Sequence, residues 1–346
     1  MRAVVFEGIG AVRVRDVPDP VVIEPGDAIV RVTRAAICGS DLHHVHGKTP
    51  LDPGDVIGHE AVGVVERIGP DVGRFAVGDR VVVAFDIACG ACWFCANGRS
   101  ALCDDVRMLG GGPFLGSLPG AQAELVRVPV ADVNLLRIPD GLEDERALFV
   151  GDVLTTGYVA AASADVASGS TVAVVGAGPV GFFCMQAARA LGAERVFGID
   201  PDPARLELAR AAGAEPIDPA TRHPDTVLAD ATDGRGADVA IEAVGSPSAF
   251  ERAVGVVRRG GTVVVVGVYA AEVMEVQLGV WWARALTIRF TGLCPVHAWW
   301  ERTMDEVVEG RLDPAPLISH RLPLEDAARG YELFERREAT KVVLEP

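Results

Sequence analysis

The apolar residues in the first part of the chain have the spacing of short strands. Up to about residue 150, apolar runs alternate with glycine, proline and aspartate. Short apolar runs bounded by turn-forming residues predict strands. The predicted strands cover residues 28–32, 61–68, 80–85 and 123–128. We therefore expect this part of the chain to be mostly β.

After Tyr158 the pattern changes to alternating strands and helices. Strands are predicted at residues 171–175, 195–199, 237–243, 262–266 and 286–290. Helices are predicted at residues 160–167, 180–191, 204–212 and 248–257. Such alternation predicts right-handed βαβ units and a parallel sheet, hence an α/β fold class. From about residue 295 the pattern is mixed again.

Length and composition predict a folded protein with more than one domain. The 346 residues correspond to about two domains. Hydrophobic residues make up 49% of the chain and charged residues 23%, which supplies enough apolar material for packed cores. Glu7 and Gly8 interrupt any signal segment, and no apolar run is long enough to cross a membrane. We therefore expect a cytoplasmic protein with reduced thiols.

Charge and cysteine content limit the classes of partner. The chain has 32 basic and 48 acidic residues, a formal net charge of −16. Nucleic acids and anionic membranes bind basic surfaces, so neither is expected as a partner. A phosphate-bearing cofactor remains possible, because backbone N–H groups bind phosphate at helix N-termini. Seven cysteines, an odd number in a long chain, favour metal or redox chemistry over a disulfide framework.

A glycine-rich turn follows the strand predicted at residues 171–175. Gly176, Gly178 and Gly181 match G-x-G-x-x-G, and Pro179 and Val180 begin the predicted helix. The first glycine permits the turn, the second admits a pyrophosphate, and the third allows close packing of helix and strand. The helix N-terminus then offers unpaired N–H groups to phosphates. The motif predicts a dinucleotide site, the alternative being an ordinary strand-to-helix turn.

Asp200 supports the dinucleotide interpretation and selects the cofactor. It ends the next predicted strand, 24 positions after Gly176, near the spacing expected for a residue that binds the ribose hydroxyls. A carboxylate there repels a 2′-phosphate, and no arginine directly follows it in sequence. NAD is therefore favoured over NADP. Arg205 either reaches the adenosine end or lies on a solvated helix face.

Four closely spaced cysteines predict a structural metal site. Cys89, Cys92, Cys95 and Cys103 form the pattern C-x2-C-x2-C-x7-C. Four thiolates close a tetrahedral zinc shell with no open position, which is a structural and not a catalytic arrangement. The alternatives are an iron–sulfur cluster and four reduced thiols without metal.

Three further features are weak when taken alone: C-G-S-D-L-H at residues 38–43, G-H-E at 58–60 and G-D-V-L-T-T-G-Y at 151–158. Together with the cysteine pattern, the glycine-rich turn and T-K-V-V-L at 340–344, they resemble the zinc-dependent medium-chain alcohol dehydrogenases over essentially the whole chain. This resemblance implies a GroES-like, mostly β catalytic domain, with a Rossmann NAD-binding domain inserted in it and the active site in the cleft between them. The expected bounds are 1–152 and 293–346 for the catalytic domain, 86–104 for its structural zinc lobe, and 153–292 for the Rossmann domain.

The resemblance also implies a catalytic zinc site. Cys38 and His59 resemble its first two ligands. Glu60 resembles a carboxylate beside the metal that in some members is a transient ligand and in others only a neighbour. Asp41 resembles the group that orients the imidazole. Asp152 stands where many members carry a cysteine ligand, which resembles a bacterial branch similar to glutathione-independent formaldehyde dehydrogenases. The alternative for Asp152 is a helix N-cap.

Proton and coenzyme roles follow from the same resemblance. Ser40 would take the alcohol proton, and His43 would release it to solvent. Thr156 resembles the residue that packs on the nicotinamide. Val268 resembles a residue whose backbone binds the carboxamide, and Lys341 resembles a basic residue that reaches the pyrophosphate.

The remaining expectations concern residues outside these motifs and the function itself. Phe85 resembles a wall of the substrate pocket. His44 and His46 are expected at the surface, Cys184 in the core, and Cys294 in the core or the pocket wall. No motif contains His223, His297 or His320.

The leading function is an NAD-dependent alcohol dehydrogenase with two zinc ions per chain, one catalytic and one structural. The substrate would be a small alcohol or aldehyde. The alternatives are an aldehyde dehydrogenase or dismutase that retains NAD, and a non-catalytic NAD-binding protein. By resemblance the assembly is a homo-tetramer or homo-dimer joined through the Rossmann sheet.

Overall fold

A computed structural model describes residues 1–269 and 273–346. Its strands are β1 (Arg2–Gly8), β2 (Ala11–Asp16), β3 (Ala28–Ala36), β4 (Glu60–Ile68), β5 (Arg80–Val83), β6 (Asp86–Ile87), β7 (Arg107–Met108), β8 (Leu125–Val128), β9 (Leu135–Arg137), β10 (Thr171–Val175), β11 (Arg195–Ile199), β12 (Glu215–Ile217), β13 (Ala237–Glu242), β14 (Val257–Val265), β15 (Thr287–Phe290), β16 (His320–Pro323) and β17 (Val342–Glu345).

The α-helices are α1 (Asp41–Val45), α2 (Trp93–Ala96), α3 (Ala131–Asn134), α4 (Asp144–Ala147), α5 (Val153–Ser163), α6 (Pro179–Ala190), α7 (Pro203–Ala211), α8 (Pro224–Ala231), α9 (Pro247–Val256), α10 (Leu278–Ala283), α11 (Val296–Val308) and α12 (Ala327–Glu335). Short 3₁₀ turns lie at Ser100–Leu102, Pro113–Leu115, Leu148–Gly151, Ala315–Leu317 and Leu324–Asp326. Within the described residues, no helix has the length and apolar character of a membrane span.

The chain divides into two compact units. The first contains Met1–Asp152, Pro295–Val308 and Asp313–Pro346, and the second contains Val153–Cys294 and Glu309–Leu312. The chain returns to the first unit at Pro295, two residues after the expected 293. This point lies in the loop between β15, which ends at Phe290, and α11, which begins at Val296.

The first unit is built on a mostly antiparallel seven-stranded sheet. Its strand order is β16-β17-β3-β4-β5-β9, and β8 also pairs with β3. The apolar faces of these strands pack into one core, with Val30, Val81 and Val126 among its buried residues. This architecture agrees with the mostly β prediction. The predicted strand at 80–85 ends at Val83, because Phe85 leaves the ladder and donates its N–H to Gly151.

The second unit contains a six-stranded parallel sheet of order β12-β11-β10-β13-β14-β15. This is the doubly wound order in which the strand sequence reverses between the first and fourth strands. Every residue of β10 is buried, as expected for a parallel strand covered by helices on both faces. The α/β prediction is confirmed, and β10 and β11 have their predicted bounds.

Two elements of this unit differ from the prediction. The alanine-rich helix is α5, which starts at Val153 and ends at Ser163 instead of spanning 160–167. Gly157 lies inside it, where an added Cβ would lie 2.6 Å from Phe183 Cβ, so this glycine permits close packing against α6. Strand β14 starts at Val257, five residues before the predicted 262, because Val257 pairs with Ala237 before a bulge.

Candidate metal and coenzyme sites

Strand register brings the dispersed motifs of the first unit to one sheet edge. Ala36 at the end of β3 pairs with Glu60 at the start of β4. Cys38 follows β3 by two residues and His59 immediately precedes β4, so both lie at this edge. On the other side of β3, Val343 of β17 pairs with Ala36. The end of the chain, including Lys341, therefore also lies at this edge. The sheet thus assembles groups that are far apart in sequence.

These residues form a compact, buried donor set. One ligand atom each from Cys38, His59, Glu60 and Asp152 lies within 4.8 Å of the others, and all four residues are buried. Asp152 Oδ2 lies 3.2 Å from His59 Nε2 and 3.9 Å from Cys38 Sγ. Zinc–ligand bonds of about 2.0–2.3 Å in a tetrahedron give donor separations of roughly 3.4–3.8 Å. Cys38, His59 and Asp152 therefore fit a zinc ion, and the structure brings together the predicted set.

Asp41 fixes the orientation of the His59 ring. Its Oδ1 lies 3.0 Å from His59 Nδ1, while its Oδ2 accepts hydrogen bonds from Cys38 N at 2.9 Å and Gln122 Nε2 at 3.1 Å. Nε2 is therefore the nitrogen that faces the ligand set. Burial opposes a charged imidazole, but Asp41 and Cys38 raise the pKa of His59 well above its usual value. The site has a strongly negative field, which suits a divalent cation.

Ser40 and the histidines of α1 lie beside this set. Ser40 Oγ lies 3.2 Å from Cys38 Sγ and 3.2 Å from His59 Nε2. His43 is half-buried, and burial lowers its pKa, with further lowering from Lys48. His46 is exposed as expected and pairs with Glu335.

The surface prediction is wrong for His44. Its side chain is buried and hydrogen-bonds Thr49 through Nδ1 at 2.6 Å. A short helix in this loop turns the ring inward, which the local polar sequence did not indicate.

The four predicted cysteines of the lobe at 86–104 also converge. Their sulfur atoms all lie within 4.8 Å of one another. Cys92 Sγ is 3.5 Å and Cys89 Sγ 4.0 Å from Cys95 Sγ, close to the edge of about 3.8 Å expected for a tetrahedron of Zn–S bonds. Backbone N–H groups of Cys95 and Asp104 lower the pKa of Cys92 to about 6. Burial raises the pKa of Cys95 to about 12 and also raises the pKa of Cys103, so it is the convergence of the four sulfur atoms that indicates a metal site.

The glycine-rich turn of the second unit has the predicted geometry. Gly176 has φ +94°, a conformation that favours glycine. An added Cβ at Gly181 would lie 1.8 Å from the Gly176 carbonyl oxygen, so only glycine permits this helix–strand contact. At Gly178 the nearest atoms to such a Cβ are 3.9 Å away, which leaves the backbone open to approach. Helix α6 begins at Pro179, followed by Val180.

Comparisons with known proteins agree with this geometry. The alcohol dehydrogenase GroES-like domain family matches residues 24–140, and the zinc-binding dehydrogenase family matches residues 179–309. A Mycobacterium tuberculosis protein named "Probable zinc-binding alcohol dehydrogenase" is 42% identical over 97% of this chain and 86% of its own length. The chain belongs to the zinc-binding alcohol dehydrogenase family.

Other members of the family are also similar along their full length. The glutathione-independent formaldehyde dehydrogenase of Pseudomonas aeruginosa is 33% identical over all of this chain and 97% of its own. The solved alcohol dehydrogenase TADH from Thermus sp. ATN1 has a TM-score of 0.96 and 45% identity, covering 100% of this chain and 99% of that one. A protein from Sinorhizobium meliloti assigned as a zinc-binding dehydrogenase, solved with NADP, has a TM-score of 0.86 and 30% identity, with coverage of 100% and 99%. The expected GroES-like and Rossmann folds are confirmed.

In this dehydrogenase, Lys341, which the resemblance implies as a pyrophosphate contact, is paired with the carboxylate of Glu60. Its side chain is fully buried, and Nζ lies 2.8 Å from Oε1 and 2.6 Å from Oε2 of Glu60. Burial raises the pKa of Glu60 to about 7, while Lys341 lowers it. The ammonium also lies 5.5 Å from the Phe149 ring centroid. Lys341 therefore neutralises the carboxylate beside the zinc ligands.

The predicted NAD-selecting residue has a structural role in the dehydrogenase fold. Asp200 is buried, and its Oδ2 accepts a hydrogen bond from Ala177 N, inside the glycine-rich turn, at 2.9 Å. Its Oδ1 accepts from Asp202 N at 2.9 Å. Arg205 Nη1 lies 3.6 Å from Asp200 Oδ2, so the fold brings an arginine to the carboxylate although none adjoins it in sequence. The same carboxylate thus shapes the turn and holds Arg205.

Other predicted coenzyme residues lie within the second unit. Thr156 is half-buried in α5, and Val268 is exposed just after β14. The carbonyl of Val268 packs so closely on Gly245 that an added Cβ there would lie 2.2 Å from it.

The sequence reasoning missed several residues that support these sites. Gln122 donates to Asp41, and Tyr331 donates to Gln122 Oε1 at 2.9 Å. Glu242 ends β13 and accepts hydrogen bonds from Val244 N at 2.7 Å and Gly245 N at 2.9 Å. These contacts join residues from different elements or depend on side-chain direction, so no local motif indicates them.

Proposed function

We propose that the protein transfers a hydride between a small alcohol and NAD, with the reverse reaction reducing an aldehyde or ketone. The observation that carries this proposal is the convergence of Cys38, His59 and Asp152 in one buried set. Three protein ligands are typical of catalytic zinc, which keeps an open position, whereas four-cysteine sites are structural. We assign the first unit, expected at 1–152 and 293–346, to the catalytic domain and the second, expected at 153–292, to the NAD-binding domain.

The residues of this chain have separate tasks in the proposed reaction. When bound, zinc supplies Lewis acidity that lowers the pKa of an alcohol hydroxyl. Cys38, His59 and Asp152 would hold the metal, and Asp41 orients the imidazole. Glu60 is paired with the buried ammonium of Lys341, which offsets its charge beside the metal set. Ser40, placed 3.2 Å from both Cys38 Sγ and His59 Nε2, would receive the proton, and His43 would pass it to solvent.

NAD is the coenzyme that Asp200 favours. Its carboxylate ends β11 beside the glycine-rich turn and would repel a 2′-phosphate. Arg205 lies 3.6 Å from that carboxylate, so its charge is offset by Asp200.

Metal analysis combined with a substrate screen tests this function. We expect about two zinc ions per chain and NAD reduction with at least one of a set of primary, secondary, polyol and aromatic alcohols or formaldehyde. His59→Ala should abolish turnover while NAD binding and the lobe zinc remain. His223→Ala, which changes an exposed histidine outside both sites, is the matched control. Zinc and NAD binding without turnover on any substrate would support the non-catalytic alternative.

A second candidate is aldehyde dismutation with retained NAD. Asp152 in the ligand set, together with similarity to a formaldehyde dehydrogenase, favours it. The assay is aldehyde turnover without added NAD. Equal amounts of alcohol and acid would support dismutation, and no product would reject it.

We further propose a cytoplasmic homo-tetramer, with a homo-dimer as the alternative. Five of the seven cysteines lie in metal-binding sets, which require reduced thiols and so support a reducing compartment. In the second unit β15 is an edge strand, and Leu278, Trp282 and Phe290 near it are 67%, 85% and 68% exposed. Exposed apolar side chains along a free edge favour association. Light scattering should give a multiple of the 36.3 kDa chain mass, and Trp282→Glu should reduce it. A wild-type monomer would contradict this assembly.

A further inference from the structure

His297 is a buried histidine that no sequence motif contains. It lies in the first turn of α11, and its side chain is 10% exposed. Its ring packs at a tilt against Trp300, with ring centroids 5.1 Å apart. Both ring nitrogens are engaged, Nε2 with Asn134 Oδ1 at 2.8 Å and Nδ1 with Ser100 Oγ at 2.8 Å.

The surrounding hydrogen bonds determine how the ring is protonated. Asn134 Nδ2 donates to the Ala88 carbonyl at 3.0 Å, and Asn134 Oδ1 accepts from Ala88 N at 2.9 Å. The amide therefore presents its oxygen to the imidazole, so Nε2 carries the hydrogen and donates. Nδ1 is then the acceptor, and the Ser100 hydroxyl donates to it. This assignment uses every hydrogen-bonding group of the ring.

The two partners of His297 reach the two ends of the lobe at 86–104. Asn134 lies outside the lobe, in α3, and is bonded to Ala88. Ala88 immediately precedes the ligand Cys89. Ser100 accepts a backbone hydrogen bond from the ligand Cys103 at 2.9 Å, at the end of the turn Ser100–Leu102. One imidazole thus connects the segment that carries the first cysteine with the segment that carries the last.

We infer that His297 is a positioning residue for the structural zinc site, holding Cys89 and Cys103 at tetrahedral separation through Asn134 and Ser100. The cysteine ligands span residues 89–103, and the loop between them consists of short turns with little buried apolar surface of its own. Such a loop depends on hydrogen bonds at its two ends. Fixing these ends reduces the freedom that the ligands lose when they bind zinc, which slows zinc release.

A role in core packing alone predicts different behaviour. If the ring only fills space, an aromatic replacement of similar shape should retain the lobe, and loss of the Ser100 hydroxyl should have no effect on zinc. If the ring positions the ligands, both changes should act on the lobe zinc and leave the Cys38–His59–Asp152 zinc unaffected.

The experiment measures zinc release from the zinc-loaded full chain to a chromogenic chelator. The variants are Ser100→Ala, which removes one link, and His297→Phe, which removes both. The control is Ser163→Ala, which removes a serine bond of similar length, to the Ala160 carbonyl at 3.0 Å, in the second unit. Cobalt substitution identifies the lobe, because four thiolates give a stronger sulfur-to-cobalt charge-transfer band than the single thiolate of the other site.

We expect release from the lobe to accelerate about tenfold in Ser100→Ala and more in His297→Phe, the size expected for loss of one hydrogen bond or several. Release from the other site and the control should match wild type. The inference is overturned if both variants release zinc from the lobe at a rate within about twofold of wild type. It is also overturned if zinc release accelerates equally at both sites, or if the wild-type chain holds a single zinc. If His297→Phe fails to fold, Ser100→Ala decides the question alone.

Discussion

At the residue scale, carboxylates determine the chemistry of both sites. As a zinc ligand, Asp152 would offer a harder oxygen at the same charge as a thiolate, which should leave the metal a stronger Lewis acid. Asp41 sets the imidazole of His59, and Asp200 shapes the glycine-rich turn. Each carboxylate is buried, so its oxygen atoms need hydrogen-bond donors from the protein.

Replacement of Asp41 tests its orienting role. Asp41→Asn keeps the side-chain shape but removes the charge that faces His59 Nδ1. Its amide N–H₂ group would also face a donor that Asp41 now accepts from, either His59 Nδ1 or the N–H groups of Cys38 and Gln122. We expect the affinity of the catalytic site for zinc to fall about 10- to 100-fold while the lobe zinc is retained. Metal content after dialysis against a zinc buffer measures this. Asp132→Asn, whose oxygens accept from Gly73 N and Arg74 N, is the matched control. Unchanged zinc content would contradict the role of Asp41.

Replacement of Asp200 tests coenzyme selection. Asp200→Asn keeps an acceptor for the turn but removes the charge that repels a 2′-phosphate and holds Arg205. The preference for NAD over NADP, as a ratio of kcat/KM values, should fall at least about tenfold, because charged hydrogen bonds contribute roughly 1.5–3 kcal/mol. Asp218→Asn, which alters a side chain bonded to Ala220 N, should leave the ratio unchanged. The same ratio in both variants would show that Asp200 does not select the coenzyme.

At the element scale, strand ends and the loops after them form the sites. In the second unit the loops after β13 and β14 are joined through Glu242, which accepts from Tyr269 Oη at 3.0 Å as well as from the loop after β13. Burial raises the pKa of Glu242, and its hydrogen-bond donors oppose this. The loop that contains Val268 is therefore held by a side chain from the neighbouring strand.

Removal of this link should affect the coenzyme and not the metal. Tyr269→Phe eliminates the hydroxyl bonded to Glu242 and frees the loop beside Val268. We expect the NAD dissociation constant to rise about tenfold, with kcat at saturating NAD and zinc content nearly unchanged. Quenching of tryptophan fluorescence by NAD measures binding directly. A dissociation constant within about twofold of wild type would show that the link does not position the coenzyme loop.

How far the sequence predicts these elements depends on the kind of contact. The apolar runs predict β10 and β11 at their observed bounds, because strands buried on both faces give unbroken apolar sequence. They miss the start of β14, where arginines and glycines occupy strand positions. Motif spacing predicts the four-cysteine lobe and the family resemblance implies the catalytic ligands, but the bond from Lys341 to Glu60 joins residues 281 positions apart. Such a pairing follows from sheet topology and leaves no periodic pattern.

At the scale of the whole molecule, the first unit is discontinuous in sequence. Residues on both sides of the second unit, Met1–Asp152 and Asp313–Pro346, contribute strands to one sheet. Helix α11 also belongs to this unit and brings His297 to the lobe. Stability of this unit therefore depends on contacts between distant parts of the chain.

The buried imidazole on α11 should make stability depend on pH. Burial lowers the pKa of His297 to about 4, from the ordinary 6.5 that it regains on unfolding. Asp86 Oδ1 lies 3.9 Å from His297 Nδ1, and burial raises the pKa of Asp86 to about 8, so this carboxyl is neutral over the range considered and does not counter the shift. Between the two pKa values of His297 the unfolded chain binds more protons, so the contribution is present above pH 6.5 and is lost as pH falls toward 4. From pH 7 to pH 5 we expect the free energy of unfolding to fall by about 2 kcal/mol from this group. Urea titrations of wild type and His297→Gln measure it, and equal pH dependence in both would refute the prediction.

The pairing of β17 with β3 has a consequence for how the protein is made. A ribosome releases Cys38, His59 and Glu60 about 280 residues before it releases Lys341. Until β17 docks, the nascent chain has a carboxylate beside the metal ligands without the ammonium that neutralises it, and burying such a charge is unfavourable. The sheet edge is therefore expected to stay open through most of translation and to close only when the last strand arrives. Zinc would then enter its catalytic position late in biosynthesis.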